Sequence, residues 1–255
     1  MRMKFIYLLF SFFIGSHLDA QIGGSDTIPT QNPFGQIIIH PVTHATFVLF
    51  TNNSTIYVDP TGGANAFSGM KDPDMIIVTD IHGDHFDSKT IDAVKGTNTI
   101  IVVPKAVADK MENPNNRQLV VLNNGDTKNI SGISVMAIPM YNLPEAADSR
   151  HPKGRGNGYV LTIGDKKIYI SGDTEDIPEM RNLQGIDIAF ICMNLPYTMD
   201  VYQAASAVLA FKPKIVYPYH YRGENGLSDV NKFKKIITSS NAKIDVRIRE
   251  WYPGH

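Results

Sequence analysis

Cysteine is almost absent from this sequence: Cys192 stands alone. That excludes an intrachain disulfide and any cysteine-rich zinc site. A metal site would have to be built from histidines, of which there are 8, and carboxylates. An excess of charge of one sign is also lacking. Lys and Arg number 24 against 25 Asp and Glu, a formal net charge of −1. No overall field draws nucleic acid, so a mainly electrostatic nucleic-acid binder is excluded. Internal repeats, low-complexity tracts and linkers are missing as well. A chain of 255 residues holds one sizeable core but not three.

No stretch is apolar enough to supply the ~20 residues that cross a bilayer. The N-terminal run Phe5 to Ile14 follows Arg2 and Lys4 and extends for only about ten residues. A basic start, a short apolar run and the small residue Ala20 read as a signal peptide over residues 1–20. No Cys follows it, which excludes a lipoprotein anchor. The expectation is a secreted or periplasmic protein with no stable membrane insertion after cleavage.

What is present is strand-rich. Residues 21–35 hold Gly, Pro and polar side chains and read as an extended lead-in. Short β-like runs follow at Gln36–His40, Thr46–Thr51 and Thr55–Asp59, then a continuous apolar strand, Met75–Thr79. Helices are expected at Ser88–Val94 and, after Pro104, at Lys105–Met111. Strands return at Leu119–Leu122, Ile133–Pro139, Tyr159–Ile163, Lys167–Ser171 and Ile186–Cys192. Val201–Phe211 is amphipathic with Asp200 placed to cap it. A strand at Ile215–Pro218, a helix at Asp229–Ile237 and a strand at Ile244–Ile248 close the chain. Each half ends in helix–strand alternation. The fold class is therefore α/β, a four-layer αββα sandwich, as one domain over residues 36–255.

The chemistry concentrates in Thr79-Asp80-Ile81-His82-Gly83-Asp84-His85-Phe86-Asp87, directly after the apolar strand. Asp80, His82, Asp84 and His85 crowd one loop, with Gly83 placed to let the backbone turn tightly. Imidazole nitrogen mixed with hard carboxylate oxygen suits zinc, iron or manganese.

This segment resembles the H-x-H-x-D-H signature of the metallo-β-lactamase-fold superfamily, with His82, Asp84 and His85 matching its last three ligands. Gly172-Asp173-Thr174 and His220 in Tyr217-Pro218-Tyr219-His220-Tyr221 continue the pattern in order. Thr43-His44-Ala45-Thr46-Phe47, Val58-Asp59-Pro60 and Asn194-Leu195-Pro196-Tyr197-Thr198-Met199 resemble the branch with L-ascorbate-6-phosphate lactonase-like proteins. The resemblance implies a site for two divalent ions, zinc first, with manganese or iron as alternatives. Asp84, His85 and His220 would hold one ion, His82 would help hold the other, and Asp173 would bridge them. The implied activity is hydrolysis of an ester, lactone, amide or phosphodiester by metal-bound hydroxide, with Asp84 also orienting the water.

Two departures stand out. The family's first His is Asp80 here, which adds negative charge and a harder donor. After Ile138-Pro139-Met140 the family places another His, where this chain has Tyr141 and Asn142. His151, downstream in a glycine-rich loop, is expected to take that place. The same loop carries Lys153 and Arg155. With Arg222 they are candidates to receive an anionic group of a small-molecule substrate. His44 is a candidate support behind the ligands. Asp59 is read as fixing a loop or a ligand rather than binding metal. Cys192 is read as a small buried hydrophobe. The two departures also motivate an alternative: a metal-poor, catalytically silent binding protein of the same fold. An iron redox enzyme is a third reading.

Overall fold

A computed structural model describes residues 24–112 and 118–253; the expected signal peptide lies outside the described residues. Two seven-stranded sheets make up the fold. The first contains β1 (Asp26–Pro29), β2 (Gln36–Thr43), β3 (Thr46–Phe50), β4 (Thr55–Val58), β5 (Met75–Ile77), β6 (Ile100–Val103) and β7 (Leu119–Val121), in that spatial order. The second contains β8 (Thr127–Ile130), β9 (Ile133–Met140), β10 (Gly156–Ile163), β11 (Lys166–Ile170), β12 (Ile188–Cys192) and β13 (Ile215–Tyr219). A small hairpin follows, β14 (Arg222–Gly223) with β15 (Gly226–Leu227), and β16 (Asp245–Val246) closes the second sheet beside β13.

Each sheet starts antiparallel and ends parallel. β1 through β4 pair antiparallel and β4 through β7 parallel. β8 through β11 pair antiparallel, and β11, β12, β13 and β16 parallel. Parallel neighbours need crossovers: a 3-10 turn at Ala64–Phe67 lies between β4 and β5, and the others carry α1 (Ser88–Val94), α2 (Lys105–Ala108), α3 (Pro178–Arg181), α4 (Val201–Phe211) and α5 (Val230–Ser239). Asp200 caps α4 as expected, accepting from the backbone N–H of Tyr202 and Gln203.

Alternation along the strands separates two cores. Phe47, Leu49, Met75, Ile77 and Val102 face the space between the sheets. Val48, Ile76, Val78, Ile101 and Val103 face the other way, onto Ile91 of α1 and Val107 of α2. These runs read as continuously apolar because both faces are covered. Each fully buried aliphatic side chain contributes about 1.5–3 kcal/mol of transfer free energy.

Several boundaries differ from the sequence reading. Residues 26–29, expected as lead-in, form β1, with Ile28 opposite Ile37. β8 is polar on its first three residues and gave no apolar run to detect. The helix expected over Lys105–Met111 ends at Ala108.

Candidate metal centre

The chemistry-bearing residues emerge where parallel strands end. The Asp80 to His85 loop follows β5, Asp173 follows β11 and His220 follows β13. His151 arrives from the β9–β10 connection. The first loop is tied off by Asp87, whose carboxylate caps α1 by accepting from the N–H of Lys89 and Thr90. Gly83 does not turn this loop through the left-handed region, and a Cβ there would meet nothing within 4 Å. Gly172 is the glycine the site requires: its φ is 61°, and a Cβ would lie 2.6 Å from Met140 Sδ. His44, Asp59 and His220 also hold left-handed backbone, with φ of 52°, 45° and 49°. Such conformations cost free energy in non-glycine residues and persist where surrounding structure imposes them.

The side chains form two adjoining clusters. Asp80, His82 and His151 make one; His85, Asp173 and His220, joined by Asp84, make the other. Asp173 spans both. Its Oδ2 lies 3.1 Å from His151 Nε2 and 3.2 Å from His85 Nε2, and its Oδ1 lies 3.1 Å from His220 Nε2. His85 Nε2 and His220 Nε2 are 3.1 Å apart. His82 Nδ1 is 2.7 Å from Asp80 Oδ2 without hydrogen-bond alignment.

Neighbours set which ring nitrogen each histidine presents. His85 Nδ1–H donates to Asp59 Oδ2 at 2.8 Å, so Nε2 is the ring nitrogen that faces the cluster. Asp59 is itself held by the N–H and hydroxyl of Thr79, both at 2.7 Å. His151 Nδ1–H donates to Asn142 Oδ1 at 3.1 Å, so its Nε2 likewise faces the cluster. Asn142 therefore orients the histidine that reaches the centre from further along the chain. His44 Nε2–H donates to Asp84 Oδ2 at 3.1 Å, and His44 Nδ1 accepts from the Tyr252 hydroxyl at 2.6 Å. Such outer contacts fix the tautomer and orientation of a ligand.

Burial works to raise the Asp84 carboxyl, but the His44 hydrogen bond and the fields of His85 and His220 hold it below the ordinary carboxylate range. Asp173 is likewise held well below that range by His220 and His85 against the effect of burial. Burial pushes His220 down to about 4, against the opposing field and hydrogen bond of Asp173.

This donor set fits divalent cations. Asp173 is a buried carboxylate at the meeting point of the histidines, and buried charge is costly unless it is paired or coordinates a metal. His82 Nδ1, His151 Nε2 and Asp173 Oδ1 are buried yet make no hydrogen bond. Imidazole nitrogens and carboxylate oxygens converging on one point are the expected geometry of metal ligands.

Three cationic residues were expected to receive substrate. Lys153 instead lies 3.0 Å from both Glu145 and Glu179. Arg155 donates to Asp80 through Nε at 3.2 Å and Nη2 at 2.9 Å, so it serves the centre and not an incoming anion. Arg222 does line the cleft over the centre, a space of about 360 Å³. His44, Asp84, Arg150, Asp173, Asn194 and Tyr197 are the other lining residues. Of the tyrosines near the mouth, Tyr141, Tyr219 and Tyr221 are buried and Tyr197 is exposed. Arg150 directly precedes His151 but belongs to no motif, and Asn194 and Tyr197 stand in the sequence only as part of the Asn194–Met199 motif.

Residues 39–220 match the profile of the β-lactamase superfamily domain. The chain belongs to the metallo-β-lactamase superfamily. A metal-dependent hydrolase of Pyrococcus abyssi is 31% identical over 216 residues, 80% of this chain and 92% of that one. A protein of Parabacteroides distasonis, provisionally described as a metal-dependent hydrolase, shares 40% identity and a TM-score of 0.76, covering 89% of this chain and 99% of its own. At 20% identity, a metallo hydrolase of Ignicoccus hospitalis shares the fold, with a TM-score of 0.70 over 84% of this superfamily member and 95% of its own chain.

Proposed function

We propose that this superfamily member is a metallo-hydrolase that binds two divalent ions and cleaves an ester, lactone, amide or phosphodiester of a small molecule. The observation that carries the reading is the position of Asp173, within 3.2 Å of histidines from both clusters. Asp80, His82 and His151 would hold one ion and Asp84, His85 and His220 the other, with Asp173 shared. Zinc is the first candidate for so histidine-rich a set, with manganese or iron as alternatives because Asp80 adds a hard oxygen. When bound, the ions would polarise the electrophile and bring the pKa of a shared water towards neutral.

The chain's own residues would do the rest. Asp84, ionised and fixed by His44, accepts a hydrogen bond from the attacking water and aligns it. Asn194 is buried, and its Nδ2 has a contact of 3.5 Å with His220 Nε2, at the limit of a hydrogen bond. This amide lines the cleft and is available to donate to the oxygen that gains charge as the bond breaks. The reading of a silent binding protein rested on two departures, and each has a counterpart in the structure: Arg155 pairs with Asp80, and His151 lies with Asp80 and His82.

The test is turnover of a panel of ester, lactone, amide and phosphodiester substrates by metal-loaded protein. At least one class should be cleaved, and chelation or His85→Ala should abolish it. Full activity after either treatment would overturn the reading. Export to the periplasm or medium is proposed on the sequence of residues 1–20 alone. N-terminal sequencing of protein recovered from culture supernatant and periplasm tests it.

A further inference from the structure

Arg155, Arg181 and Arg249 each face a carboxylate, those of Asp80, Asp176 and Asp26, and Arg247 faces both Asp26 and Asp245. Among the described residues, Arg150 and Arg222 make no ion pair, and both line the cleft over the metal centre. A guanidinium presents a fork of donors matched to carboxylate or phosphate oxygens. Among the described residues, the arginines without an ion-pair partner are the ones beside the candidate reacting centre.

Both residues are exposed; the side chain of Arg150 and the backbone of Arg222 are held in place. The Arg150 guanidinium carbon sits 4.3 Å from the centroid of the Tyr197 ring. Stacking on an aromatic face orients an arginine while leaving its edge donors free. Tyr197 is anchored in turn: its N–H donates to Asn194 O at 2.9 Å and its carbonyl accepts from Asn142 Nδ2 at 2.8 Å. Arg150 adjoins His151 and Arg222 comes two residues after His220, so each arginine is covalently close to a metal-ligand candidate. The Arg222 carbonyl accepts from Leu195 N–H at 2.9 Å, which fastens it to the segment carrying Asn194 and Tyr197.

We propose that Arg150 and Arg222 form an anion-binding subsite that selects substrates bearing a carboxylate or phosphate group beside the scissile bond. The subsite rests on the hydrolase reading only for what happens to that bond; binding of the anion is a separate property. Arg150 and Arg222 are then specificity residues, and Asn194 and Asp84, which line the same cleft, act on the reacting atoms.

The experiment compares metal-loaded wild type with Arg150→Met, Arg222→Met and the double variant, each checked for unchanged metal content. Turnover is measured on 4-nitrophenyl hemisuccinate, which carries a carboxylate, and on neutral 4-nitrophenyl butyrate. Wild type should prefer the hemisuccinate. The double variant should lose about 10- to 100-fold in kcat/KM on it, chiefly through KM, and change little on the butyrate. Calorimetric binding of succinate and of glycerol phosphate to the same proteins should weaken about tenfold or more, and shows which anion is preferred. Weakened anion binding without turnover of either ester keeps the subsite and counts against hydrolysis of esters. Turnover with equal losses on both esters, and anion binding unmoved by the variants, overturns the subsite and leaves the hydrolase standing.

Discussion

Arg155 grips both oxygens of Asp80, with Nε 3.2 Å from Oδ1 and Nη2 2.9 Å from Oδ2. Asp80 occupies the position where the family resemblance places a neutral histidine. The replacement brings a negative charge into a fully buried place, and the guanidinium balances it. Removing one partner of a buried pair strands the other charge, at a cost of about 3–5 kcal/mol. Arg155→Met should therefore lower apo-protein stability by an amount of that order in urea unfolding. The double variant Asp80→His/Arg155→Met should recover most of the loss, because no charge is left unpaired. A double variant as unstable as Arg155→Met would show that Arg155 acts through packing instead.

His151 and Asn142 work as a pair, the imidazole donating from Nδ1 to the amide oxygen. His151→Ala should reduce bound metal from two ions to one, read by elemental analysis after gel filtration. Asn142→Leu should leave the stoichiometry intact at saturating metal but weaken one site about 10- to 100-fold. Two full-affinity ions in His151→Ala would remove this residue from the ligand set.

Asn194 is expected to act on the reacting oxygen and not on the metals. Asn194→Ala should lower kcat by about 100- to 1,000-fold with metal content unchanged. A loss of metal in this variant would instead make Asn194 a support for His220.

Acid stability should depend on Asp26. Burial raises this carboxyl, but the Tyr217 hydroxyl at 2.6 Å, Arg247 and Arg249 outweigh it and hold the folded value below the ordinary 3.8. A depressed folded pKa stabilises above the unfolded value, and the contribution disappears as pH falls through the folded one. Stability should thus fall below pH ~3.8 with a component that Asp26→Asn lacks, seen by comparing melting temperatures of the two proteins from neutral to acid pH. Parallel acid profiles would mean that Asp26 contributes nothing by ionisation.

The order and identity of the candidate ligands were legible in the sequence, because local geometry carries them. Asp80 to His85 follow an apolar strand, and Asp173 and His220 follow two others, so strand ends alone bring them to one edge of the sheets. The apolar runs were legible for the same reason: burial on both faces leaves an unbroken hydrophobic stretch. Contacts between irregular segments were not. Arg155 meets Asp80 across 75 positions, and Lys153 meets Glu179 from another element, so neither destination leaves a periodic trace. Loop conformation also decided that Asn142 holds His151 and that Arg150, not Lys153, reaches the cleft. One cysteine and eight histidines determined which atoms a metal centre must use. Only tertiary packing, which fixes how distant loops close over the strand ends, decided which charges those atoms face and which arginines remain free to meet a substrate.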